Sequence, residues 1–368
     1  MSKILRLKRV WLIVLMPAAL VLGAVSGKNP AFAEWYALTV YPLLSIGVNF
    51  ITSLFPFSLA ELLVVLLPAA VILFLVIFTI KIIKNKEKRV EIFLKFLLNI
   101  ICIASVTYFA FMISCGINYS RYPFAQTSGL KVQPSSKTEL VNLCNSLADE
   151  LNGLRQQVKT DDRSVMKLSQ TNIYDTARAA RDAYNRIGGE YPLLRAGYGV
   201  PKPVFFSHAM SYSNITGIFF PFTFEANVNV DIPAYSIPAT MCHELSHLRG
   251  YMREDEANFI GYLVCEKSGN TDFRYSGDML AFIYASNALY STDGNAANQV
   301  YARLDAGVRR DLDANSAYWK QFEGPVAEAS NLANDSYLKA NHQEDGVKSY
   351  GRMVDLLLAE YRAKKAGR

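Results

Sequence analysis

Three apolar runs stand apart from the rest of the chain: residues 10–25 (VWLIVLMPAALVLGAV), about 59–80 (LAELLVVLLPAAVILFLVIFTI) and 96–116 (FLLNIICIASVTYFAFMISCG). None shows the polar face of a surface helix. A helix crossing the hydrocarbon core takes about 20 apolar residues, with a working range of roughly 17–25. The second and third runs meet that length and the first is slightly short, so the pattern predicts membrane helices rather than buried core helices. Between the first two lies a further apolar stretch, residues 37–57, interrupted by Pro42, Gly47 and Pro56. It is expected to lie as an amphipathic helix on the outer membrane surface. The alternative, a re-entrant segment or a fourth span that would invert the C-terminal domain, is disfavoured by the charge distribution.

After residue 116 the texture changes. An aromatic and basic collar, INYSRYPFAQ, suits a membrane interface. Residues 137–158 carry leucine and valine at helical spacing, and a second helix is expected over 169–184. From Pro201 to about residue 233, β-branched and aromatic residues broken by Pro and Gly predict two or three short strands. A helix then begins near Pro238 and stops at Gly250, a second begins near Met252, and further helices follow to the C-terminus. The expected architecture is an α-helical membrane region over residues 1–116 followed by an α+β, mostly helical domain with a small sheet over 117–368.

Charge orients this arrangement. Lys3, Arg6, Lys8 and Arg9 precede the first run, and Lys81, Lys84, Lys86, Lys88, Arg89 and Lys95 fill the loop 81–95. The positive-inside rule places both in the cytoplasm, so the C-terminal domain is expected outside it. KILRLKR, an apolar stretch and AFA at residues 31–33 also fit a cleavable secretory signal, which leaves the downstream topology unchanged. The chain is 51% hydrophobic and 19% charged, and its net charge of +6 is accounted for largely by the cytoplasmic anchors. Nucleic acid is therefore not an expected partner, whereas the lipid bilayer is. The five cysteines are scattered without metal-ligand spacing, and a disulfide scaffold is not indicated.

The chemistry concentrates in CHELSHLRGYMREDEAN, residues 242–258, which holds two of only four histidines. His243 and His247 are i and i+4 on a helix, so their rings lie on one face a turn apart and can share one zinc ion. Glu244 between them sits where a general base for the metal's water would stand, the logic of His-Glu-x-x-His. Cys242 beside them is expected to be a small buried residue. A catalytic zinc needs a third protein ligand and an open fourth position. In the spacing that places a third histidine beyond a glycine, this chain keeps Gly250 but has Arg253 at the histidine position. Glu254, Asp255 and Glu256 remain, and on a helix they point in different directions. Glu254 has Asn258 one turn later, whose amide can accept the outer N–H of a metal-bound histidine; Glu256 has Ile260 there. Glu254 is thus favoured over Glu256.

HELSH followed by EDEAN resembles the gluzincin clan of metallopeptidases. That resemblance implies a zincin-like fold, a zinc cofactor, and the first residue of Glu-x-x-Ala-Asp/Asn, here Glu254, as third ligand. The gap between His247 and Glu254 is shorter than the clan's usual one. More narrowly, CGINYSRYPF, GIFFPFTFEANVN, CHELSHLRGYMREDEANFIGYL and GVKSYGRMVDLLLAEY resemble an uncharacterised bacterial membrane family, domain of unknown function 3810. The clan also keeps an edge strand before the metal helix that binds substrate backbone. TGIFFPFTFEAN stands in that place, either as such a strand or as ordinary core, with Glu225, Asn227 and Asn229 facing a cleft or solvated. His342, Tyr275, Tyr350 and Arg352 are the candidate donors to a tetrahedral oxyanion. The expected function is a membrane-anchored zinc metallopeptidase acting on peptides or proteins of the cell envelope. The alternatives are an envelope receptor or scaffold with a metal-stabilised or degenerate site, and a zinc hydrolase of cell-wall amides.

Overall fold

The computed structural model describes residues 8–194, 196–341 and 352–367. A 3₁₀ segment, Lys8–Val14, runs into α1 (Leu15–Lys28), followed by α2 (Pro30–Thr39), α3 (Tyr41–Thr52), α4 (Leu59–Lys84) and α5 (Arg89–Ser114). Four segments are long and apolar enough to cross a membrane: Lys8–Lys28, Pro30–Thr52, Leu59–Lys84 and Lys86–Ser114. None of the most apolar window of α4 is buried by protein. Its leucine, valine and isoleucine side chains face outwards all round, as a lipid-exposed helix requires.

Residues 37–57 depart from the expectation. Two helices form rather than one, and they dock along the C-terminal domain. Glu34 accepts from Arg121 at 2.9 and 3.1 Å, and Ser45 meets the Tyr198 hydroxyl at 2.8 Å. Asn49 donates to the Phe224 carbonyl at 2.7 Å, and Thr52 to the Thr223 carbonyl at 3.1 Å. Ser45, Asn49 and Thr52 are i, i+4 and i+7, one helical stripe, and all three are buried. A few polar residues on an apolar helix mark its contact face, and here that face is a wall of the domain.

The domain continues with a one-turn α6 (Phe124–Ser128), α7 (Lys137–Arg155) and α8 (Ile173–Ile187). The α8 start lies four residues later than expected because Asn172 caps it, accepting from the Tyr174 amide at 3.0 Å. β1 (Lys202–Pro203), a short α9 (Ser207–Tyr212), β2 (Gly217–Phe220) and β3 (Glu225–Val228) make the small sheet. Its order is β1-β3-β2, with β1 parallel and β2 antiparallel to β3, so β2 is an edge. Then come α10 (Ser236–Leu248), α11 (Glu254–Lys267), α12 (Thr271–Thr292), α13 (Gly294–Ala302), α14 (Ala306–Lys320), α15 (Pro325–Ala340) and α16 (Met353–Lys365). α10, α11 and α12 form the centre, where Met241, Leu245, Phe259, Ile260, Phe273, Met279 and Phe282 are almost fully buried. All five cysteines are free and buried.

Two buried acids hold the helices together in opposite ways. Asp311 on α14 is fully partnered: Arg155 at 2.7 Å, the Tyr275 hydroxyl at 2.6 Å and the Met166 amide at 2.8 Å. Asp278 on α12 meets no donor on either oxygen, yet is completely buried beside Glu266 and Glu150. Burial, then the Glu266 and Glu150 charges, push its carboxyl well above the usual range, and burial raises Glu266 too. An acid whose folded pKa lies above its unfolded one stabilises least once the unfolded chain ionises, so this cost appears as pH rises above about 4. Asp278→Asn is expected to be more stable than wild type by about 1–3 kcal/mol at neutral pH. The difference should vanish towards pH 4 when both proteins are unfolded by denaturant in detergent.

Candidate metal centre

The centre is built around one turn. At the end of α10 the Gly250 amide donates to the His247 carbonyl at 2.8 Å and the Tyr251 amide to the Ser246 carbonyl at 3.2 Å. This is a Schellman closure, with Gly250 at φ +85°, where a side chain is strained. α11 begins at Glu254 rather than near Met252, because Tyr251–Arg253 completes the reversal. The juxtamembrane elements grip the turn. The Tyr41 hydroxyl donates to the Leu248 carbonyl at 3.2 Å, and Arg121, already held by Glu34, donates to the Gly250 carbonyl at 3.2 Å. The Arg121 guanidinium also stacks 4.4 Å from the Tyr251 ring centre.

The reversal carries Glu254 back to the two histidines. His243 Nε2 and His247 Nε2 are 3.0 Å apart; Glu254 Oε2 lies 3.3 Å from the first and Oε1 3.6 Å from the second. The His247 Nδ1 bonds the Tyr251 carbonyl at 2.7 Å, which fixes Nδ1 as the protonated nitrogen and turns the Nε2 lone pair inwards. Ligands about 2.0–2.2 Å from a tetrahedral zinc stand roughly 3.3–3.6 Å from one another. The three observed spacings fall near that range, and two imidazoles with one carboxylate are a zinc donor set. The residues fit the ion.

For the polypeptide alone, burial pushes His247 down to about 4, keeping it neutral. Burial also works against a charge on His243, but Glu254 and Glu244 outweigh it and raise its pKa. Burial pushes Glu244 up to about 8; His243 works against this, and the Glu254 charge adds to it. Glu244 Oε1 lies 4.0 Å from His243 Nε2, and its Oε2 meets no protein donor. That rise belongs to the polypeptide alone; a cation held by His243, His247 and Glu254 would pull the Glu244 carboxyl back down towards the ionised form a general base needs.

These groups form the floor of a cleft of about 790 Å³. The edge strand β2 runs along it, and Gly217 is pressed against the base: a Cβ there would stand 2.5 Å from Glu244 Oε1. Phe219 packs its ring centre 6.4 Å from that of His247. The Tyr284 and Tyr337 side chains line the same cleft. Asn258 donates to the Tyr284 hydroxyl at 3.2 Å and adds to the rise of the His243 pKa, although His243 Nδ1 has no hydrogen bond to it.

Other expectations resolve differently. Glu256 faces away from the histidines, accepting from the Phe124 amide at 2.6 Å and Arg253 at 2.5 Å. Asp255 lies 3.7 Å from Arg352, which is outside the cleft lining. Glu225, Asn227 and Asn229 are buried structural groups: Glu225 pairs with Lys202, Ser58 donates to Asn227 at 2.6 Å, and Asn229 donates to Ser211 at 2.9 Å. Tyr275 is committed to Asp311, far from donating to a substrate. His342 and Tyr350 lie outside the described residues. Neither a cleft-lining nor a solvated position, the two readings the sequence offered for Glu225, Asn227 and Asn229, is what burial gives them. The signal for Gly217 and Tyr284 is spatial, with no local pattern to announce it.

The match to a family model now has a structural setting. The model described as protein of unknown function (DUF3810) covers residues 36–358. The chain belongs to that family. The DUF3810 region takes in α3, the membrane helices α4 and α5, the sheet and the whole His–His–Glu cluster. No curated protein and no solved structure matches the chain. Because Glu256 accepts from the Phe124 amide and Arg253 rather than joining the histidines, Glu256→Ala is expected to act on stability. The loss should be about 2–4 kcal/mol in detergent unfolding, since a buried amide and an arginine lose their acceptor together.

Proposed function

We propose that this chain is a membrane-anchored zinc metallopeptidase with a zincin-like domain and a gluzincin-type ligand set, His243, His247 and Glu254. The observation that carries the reading is the convergence of those three donors at tetrahedral spacing, with Glu244 beside them, under a cleft bounded by a strand edge. When bound, zinc supplies a Lewis acid that lowers the pKa of a water to about 7 and polarises a carbonyl. The chain's own residues do the rest. The substrate backbone would add along the β2 edge, whose Phe219 amide is engaged by Glu244, and this would bring its carbonyl towards the histidines. Glu244 takes a proton from the attacking water and delivers it to the leaving amine nitrogen. Tyr284 and Tyr337, which accept from Asn258 at 3.2 Å and Tyr119 at 2.9 Å, are the oxyanion donors we assign among the residues lining the cleft.

The domain is assigned to the extracytoplasmic side. The N-terminus of α4 is bound to the sheet and the C-terminus of α5 leads into the domain, so the basic loop 81–95 lies at the opposite end of both helices. The positive-inside rule sets that loop in the cytoplasm. Envelope peptides or proteins are then the substrate pool.

Metal analysis tests the reading first. Wild type is expected to purify with one zinc, and His243→Ala or Glu254→Ala to lose it. Glu244→Gln should keep the zinc while peptide-library cleavage falls about 10²–10⁴-fold. Zinc bound with cleavage of peptidoglycan amides instead would transfer the reading to a cell-wall hydrolase; no zinc at all would leave a receptor or scaffold. Gly217→Ala separates positioning from binding. Its methyl displaces the Glu244 carboxylate, so kcat should fall by about 10² at unchanged zinc content.

A further inference from the structure

The cleft is continuous with the membrane helices. Its lining includes Phe111 in the last turn of α5, Cys115 at its end and Tyr119 just beyond. Charged residues occupy the far end of α5 as far as Lys95. The apolar part from residue 96 to 114 spans about 28 Å at 1.5 Å per residue, close to the roughly 30 Å hydrocarbon thickness. Phe111 therefore sits at the boundary between acyl chains and headgroups, and one wall of the cleft reaches that boundary.

The height of the cleft is also fixed. Glu225 on β3 accepts from the Leu59 and Ala60 amides at 3.2 and 2.8 Å, capping the first turn of α4. Glu61 of that turn accepts from the Phe205 and Phe206 amides at 3.1 and 2.7 Å. The sheet that carries the β2 edge is thus bolted to a membrane helix and cannot rise away from the bilayer. While α15 faces the cleft with Ser330, Asn331, Asn334 and Tyr337, the rim is apolar on the β2 side, where Ile218 and Phe222 are 46% and 41% exposed. Such side chains are costly in water and suited to an interface.

We infer that the substrate is a polypeptide anchored in the same bilayer, cut in the extended segment that emerges directly from the membrane surface. This rests on the peptidase reading and adds where along the substrate the cleft can reach. An anchored chain leaving the headgroup layer enters beside Phe111 and Cys115 and lies along β2 without first rising into solution. A freely diffusing peptide gains nothing from that geometry, and a cut site on a long stalk spends most of its time above the cleft.

The test uses the full chain in vesicles of phosphatidylethanolamine and phosphatidylglycerol. One randomised segment is offered in three forms: free, fused to a transmembrane helix directly, and fused through a flexible spacer of about 30 residues. Cleavage is expected to be fastest for the direct fusion, by roughly tenfold or more over the long-spacer form. Glu244→Gln carrying a photoreactive residue at Phe222 gives a readout independent of hydrolysis, with adducts expected on the directly fused segment. Equal cleavage and equal adducts for all three forms would overturn the inference and leave the peptidase reading standing. Adducts confined to the direct fusion, with no form cleaved by zinc-loaded wild type, would keep the membrane-proximal site and sink the peptidase reading. No adduct on any form would overturn the inference.

Discussion

The hydrogen bond from His247 Nδ1 to the Tyr251 carbonyl is the constraint on which the centre depends. It joins the last turn of α10 to the first residue beyond the Schellman glycine, so the turn that reverses the chain also sets the tautomer and direction of the histidine. The same reversal decides which acid arrives. With α11 starting at Glu254, that residue is the first able to face back across α10, while Glu256 is rotated about 200° further and meets Phe124 instead. A single local geometry thereby fixes the ring, the lone pair and the carboxylate together.

That geometry is held from the membrane side. Arg121 is buried between Glu34, the Gly250 carbonyl and the Tyr251 ring, and Tyr41 reaches the carbonyls at the end of α10. Breaking one partner of such a buried pair typically costs about 3–5 kcal/mol, because the other charge is left unpaired. Lys202 plays the matching part under the sheet, donating to the Thr52 and Phe57 carbonyls at 2.7 and 2.9 Å and pairing with Glu225. The link between α3 and α4 is thus tied to β1 and β3, and the cleft inherits its position from the long apolar helices.

Legibility followed the range of each interaction. The spans, the helix stop at Gly250 and the nearness of Glu254 to two histidines are consequences of periodicity and a short turn, and local sequence carries those. The roles of Ser45, Asn49 and Glu34 depend on partners at Tyr198, Phe224 and Arg121, between 87 and 175 residues away. Nothing near them in sequence says what they face, so residues 37–57 read only as apolar and broken by Pro42, Gly47 and Pro56. Tyr275 was plausible as a donor by residue type alone; only the arrival of Asp311 shows that its hydroxyl is spent. Gly217 matters through a neighbour on another element, and a glycine in a strand reads equally well as a bend.

Asp311, Asp278 and the His243–His247–Glu254 group are accommodated in three different ways. Asp311 is satisfied by arginine, tyrosine and an amide, which is what a structural acid needs. Asp278 lacks donors, and its repulsion with Glu266 is relieved by holding a proton. The His243, His247 and Glu254 cluster follows neither pattern. Two imidazole nitrogens face each other at 3.0 Å with one ring's tautomer fixed so that its lone pair points in, and burial keeps that ring uncharged. Without a cation, and against the cost of burial, a proton on His243 Nε2 is held by Glu254 and faces the His247 lone pair, which is why the His243 pKa is raised. A divalent cation at their common centre would replace that proton, meet all three donors at once, and draw the neighbouring Glu244 carboxyl down towards its ionised form.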